Sequence, residues 1–291
     1  MKHRWLVWVG GVLLVTAGLV LAIPISRDIV FGYVGREAFV GGRPTRYWIG
    51  QLKSADASER RQAALRLGER AHFDGRSADD IQVHVIVHSL CEALADRDIQ
   101  VRKSAATSLL SSKQFANAAS GLPIESLVRA LRDEDDTVRK VAVEFLADQG
   151  TGSQPAVSAL TAALKDKLAG VREGAARALG EIGPEAKDAI PALLVALRDE
   201  DREVREQSAK SLGIVGPHAN GSVTKDIVAS LAKALKDEEG DVRMHAARSL
   251  GRMGDEAKAA KAALNEALKD TDERVRKDAS EALQKISSSI R

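Results

Sequence analysis

One short pattern, a valine followed by an arginine, returns along most of this chain at nearly regular intervals. The pairs are Val101/Arg102, Val138/Arg139, Val171/Arg172, Val204/Arg205, Val242/Arg243 and Val275/Arg276, and Glu59/Arg60 is a degenerate seventh. From one arginine to the next the chain advances 42, 37, 33, 33, 38 and 33 residues, so a 33-residue unit recurs with insertions of four to nine. Such a period indicates a repeat protein, in which each unit packs mainly on its neighbours.

Each unit has the pattern of two helices joined by a polar corner. A leucine stands seven residues after every arginine, and small residues often precede it on the same helical face. A second pair of leucines with helical i, i+4 spacing lies twelve and eight residues before the arginine, as in Leu193/Leu197. An acidic residue four before the arginine is suited to cap the second helix. These acidic residues are Asp56, Asp98, Asp135, Asp201, Glu239 and Asp272.

The composition agrees with an all-α fold and argues against a strongly charged nucleic-acid surface and an intrachain disulfide. Hydrophobic residues make up 44% of the chain but aromatic residues only 3%, and Ala, Leu and Val predominate, as in closely packed helices. The formal net charge of +2 gives no large field that would attract nucleic acid. The single cysteine, Cys91, cannot form an intrachain disulfide.

The second helix of the fourth unit carries a resemblance to a known family. Residues Val171 to Gly180 read VREGAARALG, which resembles the short bacterial HEAT repeat V-R-x-x-A-A-x-x-L-G. The resemblance covers residues 47 to about 287 and implies a right-handed α-α superhelix, a solenoid of about seven helix pairs. The first repeat departs from the pattern with Ser54 at an aspartate position, and the last has Gln284 where glycine is common.

The same resemblance implies a structural ladder, in which a corner aspartate and the arginine six residues later link successive repeats. The ladder residues are Asp96, Arg102, Asp133, Arg139, Asp166, Arg172, Asp199, Arg205, Asp237, Arg243, Asp270 and Arg276. This role makes the arginines structural rather than a basic stripe for phosphates.

The amino terminus has the pattern of a membrane segment. Residues 5–25 contain no ionisable side chain, and these 21 residues are long enough to cross a bilayer core of ~30 Å as a helix. We therefore expect an anchor or signal peptide at 1–26, a spacer at 27–46 and the solenoid at 47–291. Basic residues before the segment predict a cytoplasmic amino terminus and a periplasmic or extracellular solenoid. Cleavage near Ala22 would give a secreted protein.

Three possible metal ligands lie on one face of a predicted helix, His84, His88 and Cys91. Their i, i+4, i+7 spacing would suit zinc or copper. However, later units place Val, Thr, Leu, Ala and Asn at the position of Cys91, and a free cysteine is more often a small buried hydrophobe. We predict no metal site and no cofactor.

The solvent face of the second helices is the predicted binding surface, since in HEAT proteins it lines the concave side. Most of this face carries opposite charges at i, i+4 that support their own helix. Positive charge accumulates along three adjacent repeats at Arg177, Lys210, Arg248 and Arg252, which predicts an acidic protein partner.

These features favour a membrane-anchored scaffold for protein–protein interaction rather than an enzyme. Two alternatives stay open. HEAT-like repeats also occur in lyases that attach bilin chromophores to phycobiliproteins, and the chain could instead be a structural component of the envelope. HEAT-like DNA glycosylases fit poorly, because no aromatic residue follows Phe145, and we expect no nucleic-acid partner.

Overall fold

The computed structural model describes residues 39–70, 80–111 and 121–288. The predicted anchor at 1–26 and most of the predicted spacer lie outside these ranges. Within them, no helix combines the length and the apolar composition that a membrane span requires.

The chain divides into two compact units, residues 1–119 and 120–291. The described part of the first unit begins with an antiparallel hairpin of β1 (Phe39–Val40) and β2 (Arg43–Pro44). Gly41 and Gly42 connect the strands with φ angles of 54° and 75°. Residues with a Cβ rarely adopt such angles, so this two-residue turn requires glycine.

Two helix pairs follow the hairpin in the first unit. They are α1 (Thr45–Gln51) with α2 (Ala57–Arg70), and α3 (Asp80–Ala93) with α4 (Ile99–Ser111). Trp48 on α1 is buried, and its indole Nε1 donates a hydrogen bond to the Val40 carbonyl oxygen at 2.9 Å. The indole therefore joins the hairpin to the first helix pair.

The second unit contains five further pairs. Their helices are α5 (Ile124–Ala130), α6 (Asp136–Asp148), α7 (Val157–Ala163), α8 (Ala169–Ile182), α9 (Ile190–Ala196), α10 (Arg202–Val215), α11 (Gly221–Ala234), α12 (Gly240–Met253), α13 (Lys261–Ala267) and α14 (Glu273–Ser288). Short 3₁₀ segments precede α7, α9, α11 and α13. The described residues thus form seven helix pairs, and the predicted all-α solenoid is confirmed. Below, within each unit, the odd-numbered helices are called the first-helix layer and the even-numbered helices the second-helix layer.

Successive second helices of the second unit pack side by side and form its core. Their aligned leucines are fully buried at Leu146, Leu179, Leu212 and Leu250. Leu283, at the same position of α14, is only partly buried, because no further second helix covers it in the described chain. Each fully buried leucine contributes about 1.5–3 kcal/mol to stability, so the repeated leucine column supplies a large share of the folding free energy.

Neighbouring second helices approach each other where glycine meets serine. A Cβ on Gly180 would lie 3.2 Å from the Cα of Ser211 and 3.0 Å from its Cβ, closer than ordinary packing allows. The Ser211 hydroxyl donates to the Ala176 carbonyl oxygen of the preceding helix at 2.7 Å. Gly68 with Ser108 and Gly213 with Ser249 repeat this arrangement. The glycine allows the two helices to approach closely, and the serine hydroxyl forms a hydrogen bond between them.

Candidate protein-binding surface

A ladder arginine that is followed by another repeat of the same unit binds its own repeat and that next one. Arg172 on α8 donates from Nε and Nη2 to the two carboxylate oxygens of Asp199 at 2.8 and 2.7 Å. Its Nη1 donates to the carbonyl oxygens of Asp166 and Lys167 at 3.0 and 3.3 Å. A guanidinium group suits this task because its planar set of donors matches a carboxylate in a bidentate manner. The ladder therefore fixes the register between neighbouring repeats.

The same bidentate contact recurs along the chain. It joins Arg60 to Asp96 in the first unit, and Arg139 to Asp166, Arg172 to Asp199, Arg205 to Asp237 and Arg243 to Asp270 in the second. The other predicted ladder residues also lie at the corners. Arg102 and Arg276 donate to the carbonyl oxygens of Asp96 and Asp270, and the carbonyl of Asp133 accepts from Arg139. The paired side chains are at most 14% exposed.

The electrostatics of the ladder keep both partners charged. Hydrogen bonds from Arg243 hold the pKa of Asp270 below its ordinary value although burial opposes this, and they raise the pKa of Arg243. Burial acts to raise the pKa of Asp199, but hydrogen bonds from Arg172 and from the Asp201 amide lower it overall. The attraction within a nearly buried ion pair offsets the free-energy cost of desolvation only when its polar atoms are this completely hydrogen-bonded.

The corner acids act as caps in most repeats. Asp201 Oδ1 accepts hydrogen bonds from the amides of Glu203 and Val204 at 3.0 and 3.2 Å, which satisfies two free donors at the start of α10. Asp56, Asp98, Asp135 and Asp272 also accept from amides of the first helical turn. Glu239 makes no side-chain cap bond, so the predicted cap is wrong there. Its carboxylate is one methylene further from the backbone than that of aspartate.

Three of the four basic side chains predicted for the binding surface contact acids on adjacent second helices. The contacts are Arg177 Nη1 to Asp148 Oδ1 at 3.3 Å, Lys210 Nζ to Glu181 Oε1 at 3.7 Å, and Arg248 Nη2 to Asp278 Oδ2 at 2.9 Å. Arg252 is exposed and forms no ion pair with any residue that the structure describes. Much of the expected positive charge is thus neutralised between helices, and the carboxyl-terminal end of α12 is the exception.

An acidic group lies in the same layer close to Lys210. Burial, reinforced by the neighbouring carboxylates of Asp241, Glu203 and Glu173, raises the pKa of Glu206. His245 Nε2 lies 3.4 Å from Glu206 Oε1, while burial and the nearby cations lower the pKa of His245. The second-helix layer therefore carries both signs of charge, separated by about one helical turn.

The three possible metal ligands do not converge. The ring centroids of His84 and His88 are 6.2 Å apart, and Cys91 is fully buried. Burial raises the pKa of the Cys91 thiol, which keeps it protonated and a poor ligand. Nowhere in the described ranges do three or more His, Cys, Asp or Glu side chains gather as a metal site would require.

Sequence reasoning missed the contacts between neighbouring second helices. It expected opposite charges on this face to pair four residues apart on their own helix, whereas the structure pairs Arg177 and Lys210 with acids of the preceding second helix. The glycine–serine contacts were also missed. The sequence did carry a signal for them. A glycine stands eight residues after the ladder arginine of one repeat, and a serine stands six residues after the ladder arginine of the next.

Comparison with known proteins finds the same repeat architecture in a known family and in solved structures. The HEAT-repeat family matches residues 87–179, 157–223 and 218–284. An engineered protein solved by the Northeast Structural Genomics Consortium is 27% identical, with a TM-score of 0.62 over 84% of this chain and 68% of that protein. A designed armadillo repeat protein in complex with the peptide (KR)4 is 20% identical, with a TM-score of 0.53 over 83% of this chain and 98% of that one. No curated protein matches the chain. Because the family matches cover well over half of its length, the chain belongs to the HEAT-repeat family.

Proposed function

We propose that this protein is a scaffold that binds an acidic protein partner outside the cytoplasm, while its amino-terminal segment anchors it in a membrane. The repeat architecture supports a binding role, because solenoids offer extended surfaces to other macromolecules. The uncharged stretch at residues 5–25 and the basic residues before it support the anchor and its orientation.

The end of α12 carries the proposed binding site. Arg248 and Arg252 lie one turn apart on the same face, with Arg248 45% exposed and Arg252 exposed without an ion pair among the described residues. Two guanidinium groups at this spacing can bind the carboxylates of one peptide segment. Arg177 and Lys210 extend this surface along the layer. The designed armadillo protein in complex with the peptide (KR)4 supports a peptide-like partner for a solenoid of this kind.

Arg252 is a cleaner site for a test than Arg248. Arg248 is paired with Asp278, whose side chain is only 7% exposed, and a glutamate at 248 would place two carboxylates together and destabilise the helix packing. Arg252→Glu reverses an exposed charge that has no such partner. Lys233→Glu, on the exposed face of α11 in the other layer, is the matched control.

The test is proximity labelling from a carboxy-terminal fusion in intact cells, with protease accessibility scored on the same samples. We expect one envelope protein to be enriched with the wild type and with Lys233→Glu, and to be lost with Arg252→Glu. Equal enrichment with Arg252→Glu would exclude the proposed site. Labelling of cytoplasmic proteins would contradict the proposed topology and favour the chromophore-lyase alternative, and labelling of no specific protein would favour an architectural role.

A further inference from the structure

The first-helix layer carries an apolar groove that the proposed function does not use. It lies between α7 and α9, has a volume of about 560 Å³, and is lined by Leu164, Pro191, Ala192, Val195 and Ala196, with Lys165, Arg198 and Asp199 at its edge. Val195 is 71% exposed, more than any other large hydrophobic residue in the described part of the chain. A contiguous apolar surface rimmed by polar residues, unlike a singly exposed hydrophobic residue, is typical of a binding site.

Comparison with the other repeats shows that this apolar surface is local. The residue two before the second leucine of the first helix corresponds to Val195 in every repeat. It is charged in the second, third, sixth and seventh repeats, as Glu92, Arg129, Lys233 and Glu266, and it is Gly50 in the first and Ala162 in the fourth. Within the second unit, the uncharged positions Ala162 and Val195 lie in the two adjacent repeats that form the groove. The fold itself therefore does not require Val195 there.

The charges at the edge of the groove define what it can bind. Asp199 is already occupied, because both of its carboxylate oxygens accept hydrogen bonds from Arg172. Lys165 and Arg198 are exposed, and within the described residues neither forms an ion pair. The groove thus presents an apolar floor beside two cations that no carboxylate of the described chain neutralises.

We propose that this groove binds a short segment of a partner protein that carries an apolar side chain next to carboxylates. The apolar side chain packs against Pro191 and Val195, and the carboxylates pair with Lys165 and Arg198. This is a second surface, on the opposite layer from Arg252. A protein segment fits better than an anionic bilayer, because the apolar residues line a groove and the side chain of the adjacent acidic residue Glu200 is 90% exposed.

The test selects peptides from a phage-displayed library of random linear sequences on the full-length protein. We expect enriched peptides to combine an apolar residue with Asp or Glu. Val195→Glu and the double variant Lys165→Glu/Arg198→Glu should each weaken their binding by about tenfold or more. Lys233→Glu, which places a glutamate at the register of Val195 on α11, should bind them like the wild type.

The outcomes separate this site from the site on α12. Arg252→Glu should bind the selected peptides unchanged, whatever its effect on the envelope partner. Peptides that bind Val195→Glu as well as the wild type, or a selection without acidic residues, would overturn the proposal. Failure to enrich any peptide, together with Val195-dependent sedimentation on phosphatidylserine vesicles, would also overturn it and assign the groove to a lipid surface.

Discussion

At the residue scale, the ladder arginine is a connector that binds two neighbouring repeats at once. Arg172 makes five hydrogen bonds to four residues in two repeats. A lysine at this position could not span them, because its ammonium group is a point charge without the planar arrangement of donors. The arginine is therefore specific in shape as well as in charge.

Loss of one interior ladder arginine should strongly destabilise the solenoid. Arg172→Ala should lower the free energy of unfolding by about 3–5 kcal/mol, because the nearly buried carboxylate of Asp199 would lose its partner. The free energy of unfolding of Arg172→Lys should lie between those of Arg172→Ala and the wild type. Urea unfolding followed by circular dichroism measures both effects.

Arg276 provides the matched comparison for this prediction. It donates to the corner carbonyls of Asp270 and Thr271, but among the described residues it has no carboxylate partner. Arg276→Ala should therefore cost only about 1 kcal/mol. Equal losses for the two variants would mean that the carbonyl contacts, and not the ion pairs, stabilise the repeats.

At the element scale, the spacing between second helices depends on which small residues meet. Gly180 of α8 faces Ser211 of α10, and the helices come close enough for the serine hydroxyl to reach a carbonyl of the neighbouring helix. Glycine usually weakens a helix by about 1 kcal/mol relative to alanine. Here that cost is offset by the packing that only glycine permits.

Replacement of Gly180 should reverse the usual preference for alanine. Gly180→Ala should destabilise the protein by about 1–3 kcal/mol, because its Cβ would overlap with Ser211. Gly170→Ala, at the exposed start of the same helix, should stabilise it by up to about 1 kcal/mol, since the nearest atom would be 4.0 Å away. Thermal and urea unfolding of the two variants give the comparison.

A double variant tests whether steric overlap with Ser211 causes the loss of stability in Gly180→Ala. Combined with Ser211→Gly, the Gly180→Ala change should cost less than it does alone, because the side chain that it meets is gone. Strict additivity of the two single changes would show that the contact does not set the helix spacing.

The elements were predictable from the sequence because their signals are local. The leucine spacing fixed seven helix pairs, and the corner aspartates marked the start of most second helices. The partners of Arg177 and Lys210 were not predictable in this way, because they depend on how neighbouring helices are aligned and not on the spacing within one helix. The groove beside Val195 was missed for the same reason, since it exists only between two first helices.

At the scale of the whole molecule, stability is the sum of many similar contacts between neighbours. Repeat proteins follow this rule because each unit packs only on adjacent units. The bidentate ion pair recurs in both units of the described chain. Hydrogen bonds outweigh burial and lower the pKa of Asp96, Asp199 and Asp270, so protonation of these carboxylates at low pH weakens ion pairs in both units.

Acid should therefore destabilise the protein through the ladder, and Asp270→Asn can show this. Its pKa is held below the ordinary value of 3.8, so its stabilising contribution is complete above that value and is lost as the pH falls through the folded-state pKa. At pH 7 the variant should be less stable than the wild type by about 3 kcal/mol, because Arg243 would keep a nearly buried charge without a carboxylate.

The difference in urea midpoint between wild type and Asp270→Asn should shrink as the pH falls from about 5 toward 2, where the wild type loses the same charge. Asp188→Asn, at an exposed position without an ion pair among the described residues, should follow the wild type throughout. If the difference instead stayed constant down to low pH, Asp270 would stabilise the corner by its shape and its hydrogen bonds alone. The ladder would then hold the repeats in register without making the solenoid sensitive to acid.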